Sequence, residues 1–489
     1  MNTPRHPWFL REDMALLTDF YQLTMMAGHW KSGRTGQAVS FDYFFRSLPP
    51  NTGYAVAAGL EDFLNYLEHL RFSEDDLAYL RSLGTFEEAF LDYLRGFTPC
   101  CTVRAVPEGD CVFPSEPVIQ VEGPILEVQL VETALLNMVN YQTLIATKAS
   151  RVCLAAQDDP VMEFGLRRAH GPDGGVSASR AAYIGGCSST SNVLAGKIHG
   201  IPVAGTHAHS WVMSFPSELE AFREFARLYP DRCVLLVDTY DPVKSGFPNA
   251  IQVFREMRAQ GIPIRPAVRL DSGDLAKLSK ICYSMMMEAG FGEPLIVASN
   301  DLNEDLIADL KRQGAKINSW GVGTQLITGY DAPALPGVYK LVAIHENGEW
   351  QPRMKVTSNF EKATDPGRKN LVRYYDAAGQ PLGDVLYLES EAWPGEGAIP
   401  GRAQKHPHAA RHLENAVSAK SLLETVFEKG KRVRPPLSAL AIRERALAEQ
   451  KRLPEEYKRL RNPEIYRVLL SPRLGEMKDR MLINPEGTA

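Results

Sequence analysis

A chain of 489 residues with 44% hydrophobic and 23% charged residues has the composition of an ordinary globular protein, long enough for several packed layers and more than one domain. Its 54 basic and 59 acidic residues leave a net charge of -5, which gives no electrostatic reason to expect nucleic acid or a membrane as a partner. Seven cysteines (Cys100, Cys101, Cys111, Cys153, Cys187, Cys233 and Cys282) show no CxxC spacing, so reduced thiols are expected rather than a zinc cluster.

The opening MNTPRHPWFLREDM lacks the apolar run of a signal peptide, and no apolar stretch approaches the length that crosses a bilayer. The expectation is a cytoplasmic protein. LEDFLNYLEHL (60–70) and SEDDLAYLRSL (73–83) carry apolar residues at helical spacing, with Ser73 placed as an N-cap, and predict two surface helices that each pack one face. From Cys101 to about Pro124, short apolar pieces broken by PEGD, PSEP and EGP predict a small antiparallel β unit. A long helical pattern follows, from about Glu127 to Ala155.

The middle of the chain alternates β-like runs (VMEFG, IPVAGT, CVLLVD, IRPAVRL, PLIVAS, INSWGVG and GVYKLVAI) with helical segments. That alternation predicts an α/β fold of parallel strands with helical crossovers, closed or nearly closed into a barrel, with a doubly wound open sheet as the alternative. Beyond about residue 346 the pattern loosens into turns, a Pro- and Gly-containing stretch (AWPGEGAIPGRAQKHPH, 392–408) and two charged helices with solvated faces.

In an α/β barrel the active site lies at the carboxyl ends of the strands, so the residues after each apolar run carry the functional reading. They are unusually polar: Arg167 and Arg168, His207 and His209, Asp238, Asp271 with Ser272 and Gly273, Ser299 with Asn300 and Asp301, and Gly323 with Thr324. Each has a plain structural reading too: surface pairing for the arginines, helix capping for RLDSGD, packing for the glycines. Their convergence is what points to a site.

The late strands suggest a phosphate cradle. Gly321 and Gly323 let backbone N–H groups approach an anion, Thr324 adds a hydroxyl, and SNDLNE opens a helix whose N-terminus attracts negative charge. Arg269 and Asp271, two apart, read as a cation beside a carboxylate on one strand face, and the same period puts His207 and His209 on one face. No HExxH or cysteine cluster completes a zinc set, which leaves a structural imidazole or one used as nucleophile or acid–base group.

The segments LTDFYQLTM (17–25), EFGLRRAHGPDGG (163–175), SSTSNVLAGKIHGIPVAGTHAHSW (188–211), RLDSGDL (269–275), VASND (297–301) and GVGTQL (321–326) together resemble the nicotinate phosphoribosyltransferases, in order from about residue 14 to beyond 360. The resemblance implies an irregular α/β barrel (146–350), an N-terminal α+β domain (1–145) and a C-terminal segment (351–489) packing on both, usually in a homodimer. It implies the joining of nicotinate to phosphoribosyl pyrophosphate, with Mg2+ and coupled ligase-type ATP hydrolysis, as the entry to NAD synthesis from nicotinate. By the same resemblance His209 accepts the ATP γ-phosphoryl group and His207 supports it. Thr206 and Ser210 line the nicotinate and phosphate region, Tyr21 and Phe164 sandwich the pyridine ring, and Arg167 clamps its carboxylate. Arg269 and Asp271 lie beside the pyridine and ribose; Ser299, Asn300, Gly321, Gly323 and Thr324 hold phosphates. The Mg2+ ligands are not identified.

Nicotinamide-using relatives place an acid near the strand before GCSSTSN, where this chain has Gly186, Cys187, Ser188 and Ser189; an acid there would repel a carboxylate substrate, so its absence favours nicotinate. A quinolinate-type transferase and an inactive, ligand-sensing relative are the rival readings.

Overall fold

The computed structural model describes residues 14–355, 363–404 and 410–483. Residues 1–13 and 405–408, on which the signal-peptide reading and part of the Pro- and Gly-containing stretch fall, lie outside the described residues. The chain forms two compact units: Lys148–Pro333, and Met1–Thr147 together with Ala334–Ala489.

Six parallel strands build the Lys148–Pro333 unit, in the spatial order Ser189–Thr190, Val161–Glu163, Ser319–Val322, Leu295–Ala298, Ala267–Leu270, Val234–Leu236. They are short and mostly buried, three of them rich in Val, Leu, Ile or Ala, as strands covered by crossover helices must be. The junctions after them are polar partly because helices start there. Asn192, Ser217, Asp274 and Asn303 each accept a backbone N–H of the first turn, a cap worth about 1 kcal/mol.

Two expected strands fall elsewhere. IPVAGT contributes a single bridge, Val203 to Thr190, because Pro202 has no N–H for a ladder; the neighbouring strand is instead Ser189–Thr190, too short for a periodic signal. GVYKLVAI becomes Gly337–Glu346, which pairs antiparallel with Ala38–Phe45 and belongs to the other unit.

That other unit holds two large sheets and a two-stranded one, Ala55–Val56 with Cys111–Val112. The seven-stranded one runs Glu349–Pro352, Gly337–Glu346, Ala38–Phe45, Ile119–Pro124, Thr102–Ala105, Glu424–Glu428, Lys431–Arg432, and includes the antiparallel pair expected between Cys101 and Pro124. The two early helices form as Leu60–His69 and Glu74–Ser82, the second opened by a reciprocal capping box between Ser73 and Asp76. Where the sequence reads as turns beyond residue 346, a six-stranded sheet forms, including Lys369–Tyr375, Pro381–Leu388 and Gly397–Ala403 around Val372, Tyr374, Val385, Ile399 and Leu413. Among the described residues no helix is long and apolar enough to cross a membrane.

Candidate functional site

The two histidines of GTHAHSW do not share a face. The alternation that would align them holds only in a strand, and here the chain passes from loop at His207 to the first residue of the helix His209–Met213. His207 turns inward, 7% exposed, with its ring 4.7 Å edge-on from Phe225. Its Nε2 accepts the Leu236 N–H at 3.1 Å, and Nδ1 lies 3.5 Å from the Ala208 carbonyl. Burial pushes this imidazole down to about 4, against the hydrogen bond to Ala208 and with the Arg269 cation acting the same way, so it is neutral and structural at pH 7. His209 faces outward: Nδ1 sits 3.0 Å from Thr239 Oγ1, and Nε2 lies 3.8 Å from an Asp271 oxygen. Ser210 follows in the same short helix.

Asp271 lies one residue past the Ala267–Leu270 strand, not on it. One carboxylate oxygen accepts the Ser299 hydroxyl, and its backbone N–H donates to Asp238 at 2.7 Å. Asp238 also accepts the Ser272 hydroxyl at 2.8 Å, while its buried Oδ1 has no hydrogen-bond partner. Asp238 and Thr239, both in the VLLVDTY strand end, complete the cluster; the sequence flags Asp238 as a polar strand end, but Thr239 carries no signal before the fold sets it against His209.

A cavity of about 280 Å3 opens along the inner face of the sheet, lined in part by Met162, Phe164, Val203, Thr206, Arg269 and Val297. Arg269 donates to Thr206 Oγ1 at 2.8 Å and to the His207 carbonyl at 3.2 Å, and its Nε is buried without a partner. Burial lowers its pKa, Arg167 nearby lowers it further, and Asp271 and Asp238 oppose both. Arg167 itself sits, exposed, in the single turn Leu166–Arg168.

Gly321 is inside a strand, and a Cβ there would lie 2.7 Å from the Phe164 ring, so the space it leaves holds that ring. Gly323 opens the four-residue helix Thr324–Ile327, and its Cβ would meet the Phe164 carbonyl at 3.2 Å. The phosphate expectation also rests on the helix that SNDLNE opens. Asn303 caps it through the Leu306 N–H, Glu304 and Asp305 occupy its first turn, and Glu304 is paired with Lys148 and Arg151. Ser299 is engaged with Asp271, and Asn300 and Asp301 take positive φ values of 92° and 38° at the turn. Tyr21 lies half-exposed on the helix Phe20–Lys31 of the other unit.

The reading of Gly186–Ser189 as free of acid is incomplete. Ser189–Thr190 pairs with Val161–Glu163, and the Thr190 hydroxyl donates to Glu163. That carboxylate is wholly buried, with its oxygens engaged, rather than presented to the cavity.

Comparison with known proteins adds the following. The family model described as the nicotinate phosphoribosyltransferase (NAPRTase) N-terminal domain matches residues 16–140, and that for the C-terminal domain matches residues 368–478. The chain is 44% identical to nicotinate phosphoribosyltransferase of Bacillus subtilis over 97% of this chain and 98% of that one. It is similar to the crystal structure of human nicotinic acid phosphoribosyltransferase, with a TM-score of 0.83 and 35% identity over 95% of this chain and 100% of that one. A nicotinate-nucleotide pyrophosphorylase of Pyrococcus furiosus matches with a TM-score of 0.68 and 25% identity, covering 90% and 96%.

Proposed function

The chain belongs to the nicotinate phosphoribosyltransferase family, and from that premise we propose that it joins nicotinate to phosphoribosyl pyrophosphate, giving nicotinate mononucleotide and pyrophosphate. One observation carries the reading to this chain's own residues: the cavity combines the Phe164 ring with Arg269, a guanidinium bonded only to neutral acceptors. A flat apolar face beside a guanidinium that no carboxylate hydrogen-bonds suits an aromatic acid and a phosphorylated sugar. In this reading the six strands form the wall of an irregular α/β barrel, Tyr21 covers the pyridine ring, the working form is a cytoplasmic homodimer, and the reaction is the entry to NAD synthesis from nicotinate.

The pyridine nitrogen attacks the anomeric carbon, the new C–N bond forms, and the C–O bond breaks with its electron pair leaving on pyrophosphate. Arg167 and Arg269 hold the anionic groups, Thr206 and Ser210 line the same region, and Asp271 faces the ribose as positive charge develops there. Ser299, Asn300, Gly321, Gly323 and Thr324 keep their proposed place around the phosphates.

His209 is the proposed acceptor for coupled ATP hydrolysis. With Nδ1–H donating to Thr239, Nε2 carries the lone pair; it forms a bond to the γ-phosphorus as the bond to ADP breaks and ADP takes the electrons. Phosphorylation adds negative charge and acceptor oxygens beside Asp271.

Among the described residues no group of three or more His, Cys, Asp and Glu is arranged to hold a metal. Mg2+ commonly takes only one or two carboxylates, with phosphate oxygens and waters, and Asp238, with one buried oxygen unpartnered, fits that donor type and would be its holder, with Asp271 next in the cluster. Held there together with substrate, Mg2+ would neutralise phosphate charge.

Incubating the purified chain with phosphoribosyl pyrophosphate, Mg2+, and nicotinate, nicotinamide or quinolinate in turn, and identifying products by mass, tests the reading. Nicotinate mononucleotide from nicotinate alone is expected. Turnover of quinolinate with release of carbon dioxide, or no product from any of the three, overturns it.

A further inference from the structure

Glu163 is the last residue of the Val161–Glu163 strand and is 0% exposed. A buried carboxylate must be hydrogen-bonded or paired with a cation, and here every donor given to it is neutral. One oxygen accepts the Gly165 N–H, two residues on; the other accepts the hydroxyl of Ser179, at 2.9 Å, and that of Thr190. Thr190 Oγ1 accepts the Asn192 N–H at 2.9 Å, and Asn192 Nδ2 donates to Ser179 Oγ at 3.2 Å, so the carboxylate is the hub of a network tying three segments together.

The turn it grips carries the residues assigned to the base. Phe164 lines the cavity, and Arg167 follows in the turn Leu166–Arg168. Gly165 is also closely packed where a side chain would stand: an added Cβ would lie 2.5 Å from Ile327 Cβ and 3.0 Å from Glu163 Oε1, so only glycine fits at this point of the turn. The Phe164 N–H is fixed to the Val322 carbonyl at 2.8 Å.

We infer that Glu163 is a positioning residue of the nicotinate pocket, its carboxylate locking the Phe164–Arg168 turn so that ring and guanidinium meet the base in one arrangement. This rests on the nicotinate reading above. Glutamine can replace the carboxylate almost atom for atom: Oε1 keeps the Gly165 N–H, and the hydroxyls of Ser179 and Thr190 rotate to accept from Nε2. Alanine removes the hub: the Gly165 N–H and the Thr190 hydroxyl lose their acceptor, while the Ser179 hydroxyl turns to the Gly175 carbonyl at 2.8 Å.

The test measures steady-state kinetics of the full chain for both substrates, together with hydrogen exchange of the 163–169 peptide. For Glu163→Ala the KM for nicotinate rises about tenfold, while kcat and the KM for phosphoribosyl pyrophosphate stay within about threefold and exchange in that peptide quickens locally. Glu163→Gln restores both readouts. If the alanine chain fails to fold, Glu163→Asp, one methylene too short to span Gly165 and the hydroxyls, takes its place with the same expectations. An unchanged nicotinate KM, equal losses toward both substrates, or no rescue by glutamine overturns the proposal. Wild-type protein that makes nothing from nicotinate sinks the nicotinate reading instead, and unchanged local exchange in the alanine or aspartate chain would then also overturn the positioning role.

Discussion

Arg373 and Arg269 each draw a guanidinium away from bulk water, one in each unit, and their surroundings differ. Arg373, 2% exposed, grips Asp384 with Nε at 2.9 Å and Nη2 at 2.6 Å, gives a further bond to the Cys111 carbonyl, and lies near the rings of Phe113 and Tyr466. Asp384 is completed by the Tyr466 hydroxyl at 2.8 Å. Arg269 bonds to a hydroxyl and a carbonyl, leaves Nε unpartnered, and has its two carboxylates within electrostatic range but not hydrogen-bonded to it. The neighbouring acids raise the Arg373 pKa well above the ordinary value despite burial, whereas burial prevails at Arg269 and lowers it. A closed ion pair fastens a sheet and has nothing left to offer a ligand. An open one costs stability and keeps its charge for an anion.

Breaking the closed pair gives the largest effect. Asp384→Ala takes from the buried Arg373 the carboxylate it grips, leaving the Cys111 carbonyl and the more distant Glu116, and denaturant unfolding should show a loss of about 3 kcal/mol, with turnover per folded molecule retained. Removing the open cation reverses the pattern: Arg269→Met should lower kcat/KM about 100-fold, or ~2.7 kcal/mol, while the melting temperature holds or rises. Loss of stability with normal turnover in Arg269→Met would erase the distinction between the two arginines.

His207 sharpens the comparison with a smaller, pH-dependent effect. Its folded-state pKa of about 4 lies below the ordinary 6.5, so the unfolded chain takes up a proton first as pH falls. Stability that is full above the unfolded value is lost as pH drops from about 6.5 toward 4, amounting to about 2 kcal/mol at pH 5. Urea unfolding of wild type and His207→Gln at pH 7 and pH 5 checks this: the wild type should show the drop and the variant a flatter profile.

The sequence carries much of the site, because strand ends followed by N-caps leave a dense polar text that needs no long-range information. Arg269, Thr206 and Phe164 meet in one cavity, and His209 meets Asp271, which meets Ser299. What fails is what depends on tertiary context. His207 and His209 separate because a helix, not a continuing strand, begins at the second of them. The pairing of Glu304 in SNDLNE with Lys148 and Arg151, some 150 residues earlier, likewise has no sequence signal. Glu163 passes as an ordinary strand residue because its partners Ser179 and Thr190 are 16 and 27 positions away. The Lys369–Tyr375 and Pro381–Leu388 hairpin reads as turns because glycine, proline and charged residues interrupt its alternation, Arg373 and Asp384 among them; those two find each other only across the hairpin.

The most direct measurement uses γ-labelled ATP with wild type, His207→Gln and His209→Ala, reading protein-bound, acid-labile phosphate beside nicotinate mononucleotide formed with and without ATP. The account predicts label on wild type and His207→Gln, none on His209→Ala, and in the last a slow transfer that ATP no longer stimulates. Label and full ATP stimulation persisting in His209→Ala would contradict it.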